Sequence, residues 1–162
     1  MIKVQKAKKE KRKTMKAIDV ELAVVEYLNP RANLIVPNVF WGMFDHECDL
    51  LVVTRAGFAW EIEIKVTPAD LKKDKEKRHQ HLDKKIKDLY FAMPYYMEKY
   101  VEHVPEHAGI ILVRQSGRCQ LFRKPKSIPK PYRFTDEDRY RVARLGALRI
   151  WGLKKKMAKQ EV

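Results

Sequence analysis

Residues 46–66 read HECDLLVVTRAGFAWEIEIKV, and this stretch decides the fold because it predicts a β-hairpin. Four consecutive apolar residues at 50–53 form the first strand, and Gly57 provides the conformational freedom that a turn requires. From residue 58 to residue 66 every second residue is large and apolar, and from residue 61 the residues between them are charged, as in a strand with two different faces. Three charged residues are therefore expected on one face of the second strand: Glu61, Glu63 and Lys65.

An acidic residue also lies on the first strand, where Asp49 follows Cys48. Asp49, with Glu63-Ile64-Lys65 one hairpin later, resembles the signature of the PD-(D/E)XK nuclease superfamily, although the proline of that signature is absent. An E-x-K tripeptide occurs in many unrelated proteins. The resemblance becomes more specific here because an aspartate lies one strand upstream and a predicted helix begins directly after the lysine.

The resemblance implies an α/β fold with a restriction-endonuclease-like α-β-β-β-α-β core, in which helices flank a mixed central sheet. It covers residues 17 to about 124, and it is most like the small single-domain members found in bacterial DNA-repair proteins and phage genomes. The predicted organisation has three parts. A basic flexible arm spans 1–16, a nuclease-like core domain spans 17–125, and a basic linker with a C-terminal helix spans 126–162.

The acidic residues of the hairpin have the chemistry of a metal site. Carboxylate oxygens are hard ligands that suit Mg²⁺ or Mn²⁺, so Asp49 and Glu63 are predicted to hold one of these ions. The resemblance implies two further ligands, the backbone carbonyl of Ile64 and a glutamate on the first helix, matched here by Glu21. Lys65 is predicted to act on the attacking water or on the scissile phosphate. A salt-bridged Asp-Glu-Lys cluster without a metal is the alternative.

The first helix is predicted from about residue 17 to residue 28. Apolar residues recur at helical spacing and define its expected buried face: Ile18, Leu22, Val25 and Leu28. Glu21 falls inside that apolar arc, and Glu26 lies at its edge. Because an unpaired buried carboxylate is costly, Glu21 is expected to face the Asp49–Glu63 pair, while Glu26 is expected to be more exposed.

The net charge of +14 is concentrated at the two ends of the chain. Residues 1–16 carry +7, residues 17–122 carry −2, and residues 123–162 carry +9. This distribution favours a polyanion held by basic ends around an acidic centre, so DNA is the expected partner. The predicted contacts are Lys8, Lys9, Lys11, Arg12, Lys13, Lys72, Lys73 and Lys77. A solvated charged surface without a partner is the alternative.

The rest of the chain supplies the remaining elements of the predicted core. A strand within 33–44 contains Pro37, which favours a sheet edge or a bulge. The helix after the lysine begins with Thr67 and Pro68 and is predicted to continue through Leu82, Ile86 and Leu89. Strands follow at 90–94, 109–113 and 119–122, and a last helix begins after residue 135.

The predicted function is a Mg²⁺-dependent deoxyribonuclease, an endonuclease rather than an exonuclease, acting in DNA repair, recombination or phage DNA metabolism. One alternative is a non-catalytic nucleic-acid-binding protein that keeps the nuclease fold. A second is an RNA-binding protein in which Tyr132 and Phe134 stack on bases. A homodimer would suit an enzyme that cuts both strands of a duplex.

No apolar run in the sequence approaches the length that spans a bilayer, and the first residues lack the apolar stretch of a signal peptide. The two cysteines, Cys48 and Cys119, form no CxxC pair and are typical of reduced thiols in an intracellular protein. These features predict a cytoplasmic protein, bacterial or phage-encoded, without a membrane partner.

Overall fold

The computed structural model describes residues 14–40, 46–75 and 83–160 of the chain. In chain order the described elements are α1 (Ala17–Tyr27), β1 (Leu34–Val39), β2 (Cys48–Val53), β3 (Ala59–Ile64), α2 (Pro68–Lys75), β4 (Ile86–Pro94), a 3-10 helix (Tyr95–His103), β5 (Gly109–Val113), β6 (Cys119–Arg123) and α3 (Asp136–Gln160). Several predicted DNA contacts lie outside the described residues: Lys8, Lys9, Lys11, Arg12, Lys13 and Lys77.

The six strands form one mixed sheet in the order β1-β2-β3-β4-β5-β6. The first three strands form an antiparallel meander, β3, β4 and β5 are parallel, and β6 returns antiparallel. The predicted hairpin is β2–β3, and its turn contains Gly57 at a φ of 88°. The expected edge position of the strand with Pro37 is also confirmed, because β1 is the first strand of the sheet. The chain is therefore α/β, with a mixed sheet flanked by helices.

Helices cover both faces of the sheet. On one face α1 packs through Val20 and Val24 against a core that includes Leu50 and Ile62. On the other face α3 packs over β1 through Val142, while Leu71 of α2 packs over β4 and β5. The register pairs Leu51 with Glu61 and Glu61 with Leu89, so the acidic residues of β3 lie on this second face, between the two packed regions.

Two predictions about the helices are wrong. The buried residues of α1 are Val20, Val24 and the following Leu28, whereas Ile18 and Leu22 are exposed. The buried face of α1 is thus rotated relative to the predicted face, and it includes only some of the apolar residues of the helix.

The second helix was predicted to include Ile86 and Leu89, but both lie in β4, which is paired with β3 along its length. Sheet pairing and burial on both faces outweigh the helical spacing of these residues.

The other predicted elements are present with small differences in their limits. Thr67 caps α2 as predicted, because its hydroxyl lies 2.9 Å from the Asp70 carboxylate and accepts the Asp70 backbone N–H at 3.2 Å. The strand at 109–113 is buried throughout, as an interior strand should be. Between β4 and β5 the chain forms the 3-10 helix Tyr95–His103. None of the helices in the described parts of the chain is long and apolar enough to cross a membrane.

Candidate active site

The hairpin places Asp49 beside the carboxyl end of β3. Leu50 pairs with Ile62, so the antiparallel register, continued by one residue, sets Asp49 across from Glu63. One carboxylate oxygen of Asp49, Oδ2, accepts the backbone N–H of Ile64 at 2.7 Å. The aspartate is therefore fixed by the neighbouring strand at the residue between Glu63 and Lys65.

Lys65 forms the centre of a buried ion-pair cluster. Its Nζ lies 2.6 Å from Glu63 Oε2 and 3.1 Å from Asp74 Oδ1. The three residues are 8%, 2% and 4% exposed, in the order Lys65, Glu63 and Asp74. The backbone N–H of Lys65 donates to the carbonyl of Ala92 on β4, so the main chain is also held in place. Lys65 thus bridges the end of β3 to α2.

The charges around Lys65 keep it protonated. Burial alone lowers the pKa of this ammonium group, but the carboxylates of Glu63, Asp74 and Asp49 outweigh burial, so the pKa lies above its ordinary value. At neutral pH Lys65 is therefore a cation. In this arrangement it is suited to orienting a group or stabilising negative charge, and less suited to accepting a proton.

Glu21 approaches the site from α1 on the other face of the sheet. Its carboxyl group is half-buried, and its pKa is raised, first by burial and then by the negative charge of Asp49. Glu26 is exposed, as predicted.

The carboxylates have the chemistry of a magnesium or manganese site, but they are held by protein groups. Within the described ranges no three His, Cys, Asp or Glu side chains are grouped closely enough to hold a metal ion. Oxygen donors from Asp49, Glu63 and Glu21 suit a hard divalent cation. For Glu63 to become a ligand, the cation must compete with Lys65 for the carboxylate. Asp74 would then keep Lys65 in place.

Two contacts near the predicted site were not predicted from the sequence. Asp74 lies in the polar run at 72–77, and its only signal was its position three residues after Leu71, which places both on the buried face of α2. The second contact joins His46 Nε2 to Glu61 Oε1 at 2.7 Å, and both residues are buried. Glu61 is therefore engaged by a histidine on the segment before β2.

The remaining residues named in the sequence analysis lie in three different environments. Lys72 and Lys73 are exposed on α2, the helix that follows Lys65. The Cys48 thiol is buried, and burial together with the charges of Glu61 and Glu63 raises its pKa, so it stays neutral. Phe134 is 3% exposed and packs in the core below α3, so its predicted stacking on RNA bases is wrong.

Comparisons with known proteins add the fold and nothing further. No protein-family model matches the chain, and no curated protein matches it. The chain is similar to the solved structure of a protein of unknown function from Silicibacter pomeroyi, with a TM-score of 0.64 and 15% sequence identity. The similarity covers 91% of this chain and 94% of that one. At this identity the comparison supports a shared fold only.

Proposed function

We propose that the protein is a metal-dependent DNA nuclease with a restriction-endonuclease-like core, which hydrolyses phosphodiester bonds as an endonuclease. The observation that carries this proposal is the arrangement at the end of β3. Asp49 lies across from Glu63 and accepts the N–H of Ile64, while Lys65 lies 2.6 Å from Glu63 in a buried cluster. Buried and mutually perturbing ionisable groups concentrate at functional sites.

Each residue has a distinct role in this proposal. Asp49, Glu63 and the Ile64 carbonyl would hold Mg²⁺ or Mn²⁺, with Glu21 as a further oxygen donor. The ion would lower the pKa of bound water and neutralise charge on the phosphate. Lys65, a cation at neutral pH, would orient the attacking water or stabilise charge at the phosphate. Asp74 would hold the ammonium group of Lys65 in position.

A second candidate function is a nucleic-acid-binding protein that keeps the fold without cleavage. The observation that favours it is the ion pairing of Lys65 with both Glu63 and Asp74, which stabilises the buried charges without a metal. In that case the basic ends of the chain would bind nucleic acid, and the acidic cluster would serve stability alone.

A cleavage assay with one near-isosteric variant separates the two functions. Labelled duplex, nicked, flap, junction and single-stranded DNA are incubated with Mg²⁺ or Mn²⁺, and with EDTA as a metal-free control. Asp49→Asn should reduce cleavage by at least about 100-fold, since ligation of the ion contributes several kcal/mol to catalysis. The matched control is Glu47→Gln, which removes a charge two residues away at an exposed position and should retain activity.

The outcome for the wild-type protein decides the matter. Cleavage that requires the metal and is lost in Asp49→Asn supports a nuclease. If the wild-type protein binds these DNAs but cuts none of them with either ion, the nuclease proposal is wrong and the binding protein is supported.

A further inference from the structure

The long helix α3 extends past the end of the sheet that carries the candidate active site. Its first part lies at the opposite end, where Arg139 donates to the carbonyl of Arg55 in the β2–β3 turn. Farther along, Gly146 packs against Val36 of β1. Arg149 then donates to the carbonyl of Asn38, near the last residue of β1. The helix therefore runs along β1 towards the end of the sheet at which Asp49 lies.

Asn38 lies between the register pairs Pro37–Leu50 and Val39–Cys48, so it is next to Asp49 on the adjacent strand. Residues 150–160 follow the contact with Asn38 and continue for 11 residues, or about 16 Å of helix. Every residue from 147 to 160 is exposed. We call residues 147–160 the α3 extension. The strand under this part of the helix, β1, is two strand spacings from β3, or about 10 Å across the sheet.

The α3 extension has large apolar side chains in solvent. Five of them are between 56% and 61% exposed: Leu148, Ile150, Trp151, Leu153 and Met157. At 100° per residue Ile150, Leu153 and Met157 lie along one side of the helix, whereas Leu148 and Trp151 lie on the opposite side among the lysines. Gly152 lies in the middle of the α3 extension, where it lowers the intrinsic stability of a helix by about 1 kcal/mol relative to alanine. A partner that packs on this segment would therefore also stabilise its helical conformation.

The charge of the α3 extension decides which partner fits. It contains five basic residues and no acidic one: Arg149, Lys154, Lys155, Lys156 and Lys159. Two such segments from two copies of the chain would repel each other, whereas a polyanion would be attracted. A helix with its side chains is about 10–12 Å across, which matches the major groove of B-DNA at about 12 Å wide. Apolar side chains can contact thymine methyl groups there.

We propose that the α3 extension docks in the major groove of duplex DNA beside the cleavage site. Trp151 and Leu148, which share one side of the helix, contact the base edges, and the lysines on either side of them bind phosphates at the groove edges. This inference rests on the proposed function for the identity of the ligand as DNA, but it does not require cleavage. It assigns duplex DNA as the preferred substrate class and α3 as the element that positions it.

Binding without cleavage tests this inference separately from the nuclease proposal. The full chain carrying Asp49→Asn is titrated in EDTA with a fluorescent duplex of about 20 base pairs, and with one of its strands alone, over a range of salt concentrations. The test variant adds Lys154→Ala, Lys155→Ala and Lys156→Ala. The control adds Lys84→Ala, Lys124→Ala and Lys126→Ala, which remove the same charge from exposed positions at the other end of the sheet.

Each phosphate contact contributes about 0.9 to the slope of log K against log salt, so losing three lowers the slope by up to about 2.7. At 0.15 M salt this corresponds to about 100-fold weaker binding of the duplex. The control triple should change the affinity far less. Trp151→Ala should weaken duplex binding without changing the salt slope. Methyl green, which occupies the major groove, should compete, and netropsin, which occupies the minor groove, should not.

Three results would overturn the inference. Equal losses of duplex affinity in the test and control triple variants would mean that these lysines act through their net charge alone and not by docking in the groove. A larger loss for the single strand than for the duplex would assign the segment to unpaired DNA. A wild-type dimer in light scattering that becomes monomeric in Trp151→Ala would assign the apolar surface to a second copy of the chain. Circular dichroism and a thermal melt confirm for each variant that the core remains folded.

Discussion

Replacing Lys65 with alanine should reveal how much of the stability depends on the buried cluster. The substitution takes from Glu63 and Asp74 the cation that they share at 2.6 and 3.1 Å. It also removes the side chain that lies 6.0 Å from the centre of the Phe91 ring. All three charged residues are at least nine-tenths buried, so solvent screens their interaction little.

The size of the effect follows from that burial. Removing one partner of a buried ion pair costs about 3–5 kcal/mol, because a charge is left in a medium of low dielectric constant. For a chain of this length each kcal/mol lowers the melting temperature by about 2–4 °C, so Lys65→Ala should lower it by roughly 6–20 °C. The raised pKa of Lys65 means that its contribution is present below the ordinary lysine pKa and is lost only as the pH rises through the raised value. The loss should therefore be nearly constant between about pH 6 and pH 9.

Thermal melts in EDTA and in Mg²⁺ measure the stability that Lys65→Ala loses and the part of it that the metal ion restores. The control is Lys72→Ala, which removes an exposed lysine from α2 and should change the melting temperature by about 2 °C or less. If Glu63 can bind a divalent cation, Mg²⁺ or Mn²⁺ should restore part of the stability that Lys65→Ala loses. A Lys65→Ala melt that equals the wild type in EDTA would refute the reasoning, because the ion pairs would then contribute nothing measurable.

Three further predictions concern the site and the hairpin. In the wild type, 10 mM Mg²⁺ at a Kd of about 1 mM should stabilise the fold by about 1.4 kcal/mol, or roughly 3–6 °C, and Asp49→Asn should abolish this shift in a thermal melt. Glu21 has a raised pKa, so its contribution is favourable below its ordinary value of 4.5 and is lost as the pH rises through the raised value. In EDTA, Glu21→Gln should therefore melt at or above the wild type at pH 7, with a difference that shrinks towards pH 4; a lower melting temperature at pH 7 would contradict this sign. Gly57→Ala should destabilise the fold more than Gly117→Ala in urea titrations, because both have positive φ but a Cβ at residue 57 would lie 2.8 Å from Arg139 Nη2, while residue 117 has open space.

The hairpin could be predicted from the sequence because its signals are local. The apolar run, the glycine and the alternation that follows all lie within 21 residues, and the register of β2 and β3 follows from a short turn. The same reasoning gave the cap of α2, since Thr67 and Asp70 are three residues apart. These predictions required no knowledge of distant contacts.

The wrong predictions concern residues whose sequence pattern fits two local structures, so that distant contacts decide which one forms. Apolar residues of α1 occur on more than one side of the helix, and the sheet face buries Val20 and Val24 while it leaves Ile18 and Leu22 in solvent. Ile86 and Leu89 fit a helical spacing, yet they lie in a strand between β3 and β5. A single sequence cannot supply these pairings, because they depend on residues 19 or more positions away.

The contacts of the candidate site are likewise of two kinds, local ones that the sequence predicts and distant ones that it does not. Glu63 and Lys65 lie two residues apart on one strand, so their proximity follows from local geometry. Asp74 reaches Lys65 only because α2 folds back over the sheet, and His46 reaches Glu61 across the hairpin. Nothing in the sequence distinguishes the buried Asp74 from the exposed Lys72 and Lys73 except its spacing from Leu71.

The arrangement of the acidic residues bears on whether the cluster serves stability alone. A structural ion pair needs one carboxylate for one lysine, and Glu63 already meets Lys65 at 2.6 Å. Glu21 and Asp49 add negative charge from two other elements, and the pKa of Glu21 is raised first by burial and second by repulsion from Asp49. Stability alone would not favour this repulsion, since apolar residues at either position would remove it. A divalent cation between Asp49 and Glu21 would convert the repulsion into ligation. The proposed metal site would thus account for the charge of Asp49 beside Glu21, and the Mg²⁺-dependent melts of the wild type and Asp49→Asn test that account.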